Sequence, residues 1–144
     1  MNYDCNELSI LRDYLNQISK YDVLTQEEEK NLLKKIKNGD KDAKEKFINS
    51  NLRLVIKIAN KYRYRKLSFM DLIQEGNIGL IECIDKFDLS LGTRFSTYAV
   101  WWINLRIQRA VYNNENIIRI PILLYRKIFA YKNVEKELMQ KLNR

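Results

Sequence analysis

Three aromatic rings and two guanidiniums fall within a dozen residues of this chain: Tyr98, Trp101 and Trp102, followed by Arg106 and Arg109. The stretch RFSTYAVWWIN, which also contains Phe95, holds both tryptophans of the sequence. Flat rings beside cationic forks can stack on unpaired nucleobases and meet the neighbouring phosphates. The same residue types also build ordinary cores, where an aromatic stripe at helical spacing means packing. The element that carries them bears on the choice. On a helix from about Thr97 to Tyr112, turning about 100° per residue, one aliphatic face is formed by Ala99, Val100, Ile103, Ile107, Ala110 and Val111. Tyr98, Trp101 and Trp102 project from the other side, with Arg106 and Arg109 near them. This helix has a core face without its rings, and periodicity leaves both uses of the rings open.

A second helix, Phe69 to Phe87, carries an unusual outer face. Phe69, Leu72, Ile73, Gly76, Gly79, Leu80, Cys83, Ile84 and Phe87 share one broad arc, the expected buried side. The opposite arc holds Asp71, Gln74, Glu75, Glu82 and Asp85, with Ile78 and Ile81 among them. Two isoleucines rimmed by carboxylates have the layout of a protein–protein contact. The plainer alternatives are that they are simply exposed or lie under the N-terminal helix, since single exposed apolar residues are common.

The elements between are also legible. One proline and four glycines in 144 residues, with apolar residues recurring at three- and four-residue spacing, predict an all-α fold. A first helix covers NELSILRDYLNQIS. Thr25 and Glu28 form a capping box opening a helix to about Asn38. Gly39-Asp40 ends that helix and caps the next, with an interruption expected near Asn49–Asn51. Ser68 and Asp71 cap the Phe69 helix, Ser96 or Thr97 the ring-bearing one, and Pro121 opens a last helix towards Arg144. The expected organisation is a compact helical domain over 1–115 and a trailing helical segment over 116–144.

Composition narrows the chemistry. The chain is 46% hydrophobic and 31% charged, which fits a folded protein. It has no histidine, and its glycines match no phosphate-binding loop, so the residue set does not point to an enzyme and implies no cofactor or metal. No membrane span or signal peptide is recognisable, and the two cysteines form no framework, which suggests a cytoplasmic protein. Residues 1–90 carry 16 Lys+Arg against 15 Asp+Glu, whereas residues 91–144 carry 10 against 3. Nearly all of the net +8 therefore lies in the ring-bearing part, as for a polyanion partner. A merely solvated basic surface is the alternative.

The segments NLRLVIKIANKY, DLIQEGNIGLIECIDKFD, FSTYAVWWI and IRIP, in this order and spacing, resemble the second region of primary-like bacterial sigma factors of the sigma-70 family. LTQEEEKNLLKKIKNGDKDAKEKFINSNLRLV resembles the conserved segment before it. The likeness runs from about Glu7 to about Ile128 without insertion. It implies a factor that binds core RNA polymerase, directs it to promoters and opens the minus-ten element. It implies docking of the DLIQEGNIGL helix on the clamp coiled coil of the largest subunits, through Asp71, Gln74, Glu75 and Asn77, with Ile78 and Ile81 on the same arc. Tyr98, Trp101 and Trp102 match the residues that hold a flipped non-template adenine and support the duplex edge, and Phe87 and Asp88 line that pocket. Asn51, Leu54, Ser96 and Thr97 match positions near a second extruded base. Arg94, Arg109 and Arg119 match phosphate contacts. An anti-sigma factor is a further possible partner.

Some positions depart from that pattern. Leu105 and Gln108 stand where primary members carry Gln and Thr that read the upstream edge of the element. Leu105 has no group to hydrogen-bond a base edge, so discrimination there is expected to weaken. Thr93 replaces an aromatic, Leu91 a basic residue, and Leu123 and Arg126 replace readers of an extended upstream motif. The sequence ends at Arg144, inside what would be the third domain. The expectation is either a truncated product or a short factor without the minus-thirty-five reader. A degenerate paralogue that docks on polymerase and competes with active sigma factors is the alternative function.

Overall fold

The computed structural model describes residues 5–63, 67–114 and 121–142. Among these there are six α-helices, two short 3-10 turns and no strand, in agreement with the all-α expectation. The helices are α1 (Cys5–Ile18), α2 (Gln26–Lys37), α3 (Lys41–Ala59), α4 (Phe69–Lys86), α5 (Phe95–Asn114) and α6 (Ile122–Lys141).

Side-chain caps set three of the starts. The Thr25 hydroxyl accepts the Glu28 N–H at 3.3 Å and the Glu28 carboxylate accepts the Thr25 N–H at 2.8 Å. That backbone hydrogen bond holds the Glu28 carboxyl below its ordinary pKa. Asp40 accepts the Ala43 N–H at 3.0 Å, after Gly39 has turned the chain at φ +88°. Ser68 accepts the Asp71 N–H at 3.1 Å. Each bond satisfies an amide that the first helical turn leaves free.

Two expected boundaries are different in the structure. α3 runs without interruption through Asn49–Asn51. Ser50 is buried there, and Asn51 turns its Nδ2 back to the Phe47 carbonyl at 2.8 Å, so packing overrides weak helix propensity. α5 starts at Phe95, which places Ser96 and Thr97 in its first turn; the Thr97 N–H donates to the Arg94 carbonyl at 3.1 Å. Pro121 immediately precedes α6 as its N-cap residue. The boundary expected at 115/116, and Arg119, lie outside the described residues.

The core forms where α4 crosses α3 and α5. All nine residues assigned to the inner arc of α4 and its end, Phe69 to Phe87, are buried. They meet Phe47, Val55 and Ile58 of α3 and Phe95, Ala99, Ile103, Ile107 and Val111 of α5. Gly76 and Gly79 permit this approach. A Cβ at Gly76 would lie 2.5 Å from Val55 Cγ1, and one at Gly79 would lie 3.0 Å from the Trp102 carbonyl oxygen.

Burial pushes the Cys83 thiol up to about 12. The neutral thiol is thus favoured by folding, and the stability tied to it is lost as pH rises from about 9 towards 12. At pH 8 a maleimide should modify Cys83 only as fast as the chain opens, because the thiolate is the reactive form. Mass spectrometry of the peptide containing Cys83, with and without denaturant, checks this. Equal labelling rates in the two conditions would contradict the closed packing of α4.

No helix of the described residues is long and apolar enough to cross a membrane. Nor do those residues bring together three or more His, Cys, Asp or Glu side chains able to hold a metal.

Candidate functional site

The rings of the opening stretch form a continuous series from core to surface. Phe47 of α3 meets Phe95 edge-on at 4.8 Å between centroids, and Phe95 meets Phe87 at 5.3 Å. Phe87 then meets Tyr98 at 5.5 Å, Tyr98 meets Trp102 at 6.2 Å, and Trp102 meets Trp101 at 5.5 Å. Phe95 and Phe87 are buried, Tyr98 and Trp102 half-buried, and Trp101 is 59% exposed. The stretch therefore divides: its first ring is core, and the later ones reach solvent on a buried aromatic base. Such rings have little freedom to lose when a flat partner stacks on them.

Cations surround the outer end. The Lys86 ammonium lies 4.4 Å from the centroid of the Trp102 ring, within cation–π range. Arg106 Nη2 reaches Glu82 Oε1 of α4 at 3.3 Å, and its stem packs where a Cβ on Gly79 would otherwise be. Trp102 Nε1 and Arg106 Nε are buried with no hydrogen-bond partner. Arg109, one turn further on, is exposed.

The loop feeding α5 is shaped by its own sequence. Asp88 accepts the Ser90 N–H at 2.9 Å, which opens the 3-10 turn Leu89–Leu91 and lowers the Asp88 pKa. Gly92 closes that turn at φ +65°, a left-handed conformation that glycine adopts without strain. Arg94 follows, and its guanidinium is clamped side-on by Glu29 of α2. Its Nε donates to Oε2 at 3.0 Å and Nη2 to Oε1 at 2.9 Å. That carboxylate raises the Arg94 pKa above its ordinary value.

The remaining residues that the resemblance matched to DNA contacts occupy three places. Asn51 and Leu54 are half-buried on α3, one and two turns past Phe47, while Ser96 is half-buried and Thr97 exposed beside Phe95. The Phe47–Phe95 contact thus sets both pairs at one helix crossing. Leu105 is half-buried on α5. Gln108 Nε2 donates to the Tyr62 hydroxyl at 3.0 Å, Tyr62 donates to Asn104 Oδ1 at 3.1 Å, and Asn104 Nδ2 donates to the Val100 carbonyl at 2.8 Å. Gln108 is therefore tied to the turn after α3.

The outer face of α4 is a separate surface. Ile78 and Ile81 are 40% and 39% exposed. Asp71 and Gln74 are exposed around them, and Glu75 is half-exposed. Asp85 and Glu82 at the far end are engaged by Lys44 and Arg106. Asn77 is directed elsewhere: its Nδ2 donates to the Tyr14 hydroxyl of α1 at 3.0 Å and to Gln74 Oε1 at 3.3 Å. It joins α1 to α4 at the margin of the face.

Glu29, Tyr14, Tyr62, Asn104 and Lys86 are absent from the residues singled out by sequence. Only Glu29 left a trace there, since it lies on the helical stripe of Leu33 and Ile36 and not with the solvated acids beside it.

Residues 47–116 match the family model for sigma-70 region 2, and residues 9–42 match that for sigma-70 factor region 1.2. The RNA polymerase sigma factor SigA of Clostridium acetobutylicum is 46% identical over 134 residues, which cover 93% of this chain and 35% of that protein. The protein of the same name from a Bacillus species is 44% identical over 134 residues, 93% of this chain and 36% of its own length. The chain thus spans about a third of the length of these relatives. With both regions in order on an all-α body, the chain belongs to the sigma-70 family of RNA polymerase sigma factors.

Proposed function

We propose that this chain docks on core RNA polymerase through the outer face of α4 and opens promoter DNA at the minus-ten element through the rings of α5. The observation that carries the reading is the ring series itself, which ends in an exposed Trp101 and half-exposed Tyr98 and Trp102 beside Lys86. A base rotated out of the duplex costs a few kcal/mol to unstack, and a fixed aromatic wall offsets that cost by stacking. In this reading Tyr98 is the wall of the base pocket, with Phe87 behind it, and Trp101 and Trp102 meet the edge of the melted duplex. Asn51, Leu54, Ser96 and Thr97 receive a second base, and Arg109 and Arg119 contact phosphate. Ile78 and Ile81 form the apolar centre of the polymerase contact, with Asp71, Gln74 and Glu75 as its rim. Asn77 orients that rim through its bonds to Tyr14 and Gln74. No chemical step on a substrate is required.

The test combines the chain with core polymerase and a fluorescent single-stranded minus-ten oligonucleotide, with a scrambled strand as control. Capture of core together with tighter binding of the cognate strand supports the reading. Capture of core with equal binding of both strands would favour a second role, that of a competitor that occupies polymerase without opening DNA. Leu105 supports that second role, because an apolar side chain stands where a polar reader is expected.

A further inference from the structure

We propose that Glu29 is a restraint on Arg94, a specificity device that keeps the start of α5 from gripping nucleic-acid backbone indiscriminately. The proposal rests on the reading of α5 as a strand-binding helix and adds to it a role for α2. Arg94 stands immediately before the first residue of α5, where free backbone N–H groups and the helix dipole already attract phosphate. An unpaired arginine there would bind any strand, and phosphate contacts carry no sequence information.

Glu29 cancels that attraction. It is the one buried charged residue among the described residues, 7% exposed, and both its oxygens are taken by Arg94. The partners are 65 positions apart, so the bond is tertiary and not a by-product of one helix. A carboxylate buried without its partner is costly, which favours retention of the clamp. The crevice that the pair lines together with Gln26, Lys30, Phe87 and Thr93 has a volume of only about 20 Å³. That space is too small to seat a phosphate between the two side chains. From solvent a phosphate meets a guanidinium whose charge is already balanced. Strand capture is left to the rings, whose contacts depend on an unstacked base.

The experiment measures binding of the full chain to fluorescent cognate and scrambled single strands between 50 and 200 mM salt. With Glu29→Gln, the slope of log affinity against log salt should steepen by about 0.7, the value for one added contact on a single strand. Affinity for both strands should rise together, with the gain about threefold larger at the low-salt end. Glu27→Gln, an equal charge change on an exposed residue of α2, should leave the slope nearly unaltered. Adding Arg94→Gln to Glu29→Gln should restore the original slope. A steepening shared by Glu27→Gln, or one that persists without Arg94, overturns the proposal, as does an unchanged slope in Glu29→Gln.

The double variant Glu29→Gln with Arg94→Gln, which leaves no unpaired buried charge, decides the matter if Glu29→Gln alone does not fold. An unchanged slope there supports the restraint, and a slope shallower by about 0.7 shows that Arg94 already holds phosphate and overturns it. These readouts are slopes on either strand. Failure of the base-opening reading would appear separately, as equal affinity of the unmodified chain for cognate and scrambled DNA.

Discussion

Replacing Tyr98 with alanine should weaken binding of the minus-ten strand by roughly tenfold, within the range of about 1–3 kcal/mol for one base stacked on an aromatic ring. The scrambled strand and polymerase capture should be nearly unaffected. Tyr98 is the first ring of the series with an accessible face, and Phe87 behind it is buried, so no other side chain can take over its position. Removing the ring also uncovers Phe87 and costs some stability. Tyr98→Phe separates the two effects, because it keeps the ring and the packing and loses only the hydroxyl. It should retain most of the cognate affinity. Anisotropy titrations of the cognate strand in the presence of core polymerase measure this, with helicity melts of each variant alongside. Cognate affinity within twofold of the unmodified chain in a folded Tyr98→Ala variant would exclude Tyr98 as the pocket wall.

Charge placed on the α4 face should have the opposite profile. The double substitution Ile78→Asp and Ile81→Asp should reduce polymerase capture by about thirtyfold or more, the loss expected for a central apolar contact worth at least about 2 kcal/mol. Both side chains are already about two-fifths exposed, so the aspartates remain hydrated and the helix fold should persist. Residues three apart lie side by side on a helix, and the two together form one patch. Glu75→Lys tests the rim and should weaken capture less. If the double variant keeps its helicity and still captures core as well as the unmodified chain, polymerase docks somewhere other than this face.

The two variants act on surfaces that differ in how plainly the sequence announces them. The inner arc of α4 is legible residue by residue, because its apolar and glycine positions follow the helical period without a break. The exposure of Ile78 and Ile81 follows from the same wheel, since the arc opposite a filled core faces outward unless another element covers it. α5 is legible on its aliphatic side. Its start is not, because Ser96 and Thr97 have the character of caps, whereas the Asp88 and Gly92 turn delivers the chain early enough for Phe95 to begin the helix. Phe95 itself reads as one ring among four, and only its packing on Phe47 and Phe87 shows that it belongs to the core. The Glu29–Arg94 clamp was hidden by its surroundings. Three consecutive glutamates in a first helical turn are accounted for by the helix dipole, and only the helical spacing of Glu29 to Leu33 and Ile36 marks the one that turns inward, without naming its partner. The bonds of Asn77 to Tyr14 and of Gln108 to Tyr62 are likewise tertiary, joining residues whose neighbours in sequence are ordinary helix formers.

Both tryptophans of the chain sit at the outer end of one ring series, and this gives the molecule a built-in optical probe. Trp101, largely in water, and Trp102, under the Lys86 ammonium, emit from different environments, and Tyr98 is close enough to pass excitation to Trp102. No tryptophan elsewhere contributes background. Tryptophan emission, excited beyond the absorption band of the nine tyrosines, therefore reports on this surface alone. Quenching by a stacked base would register strand capture without a dye, while loosening of α1 that leaves α4 and α5 packed would pass without a signal.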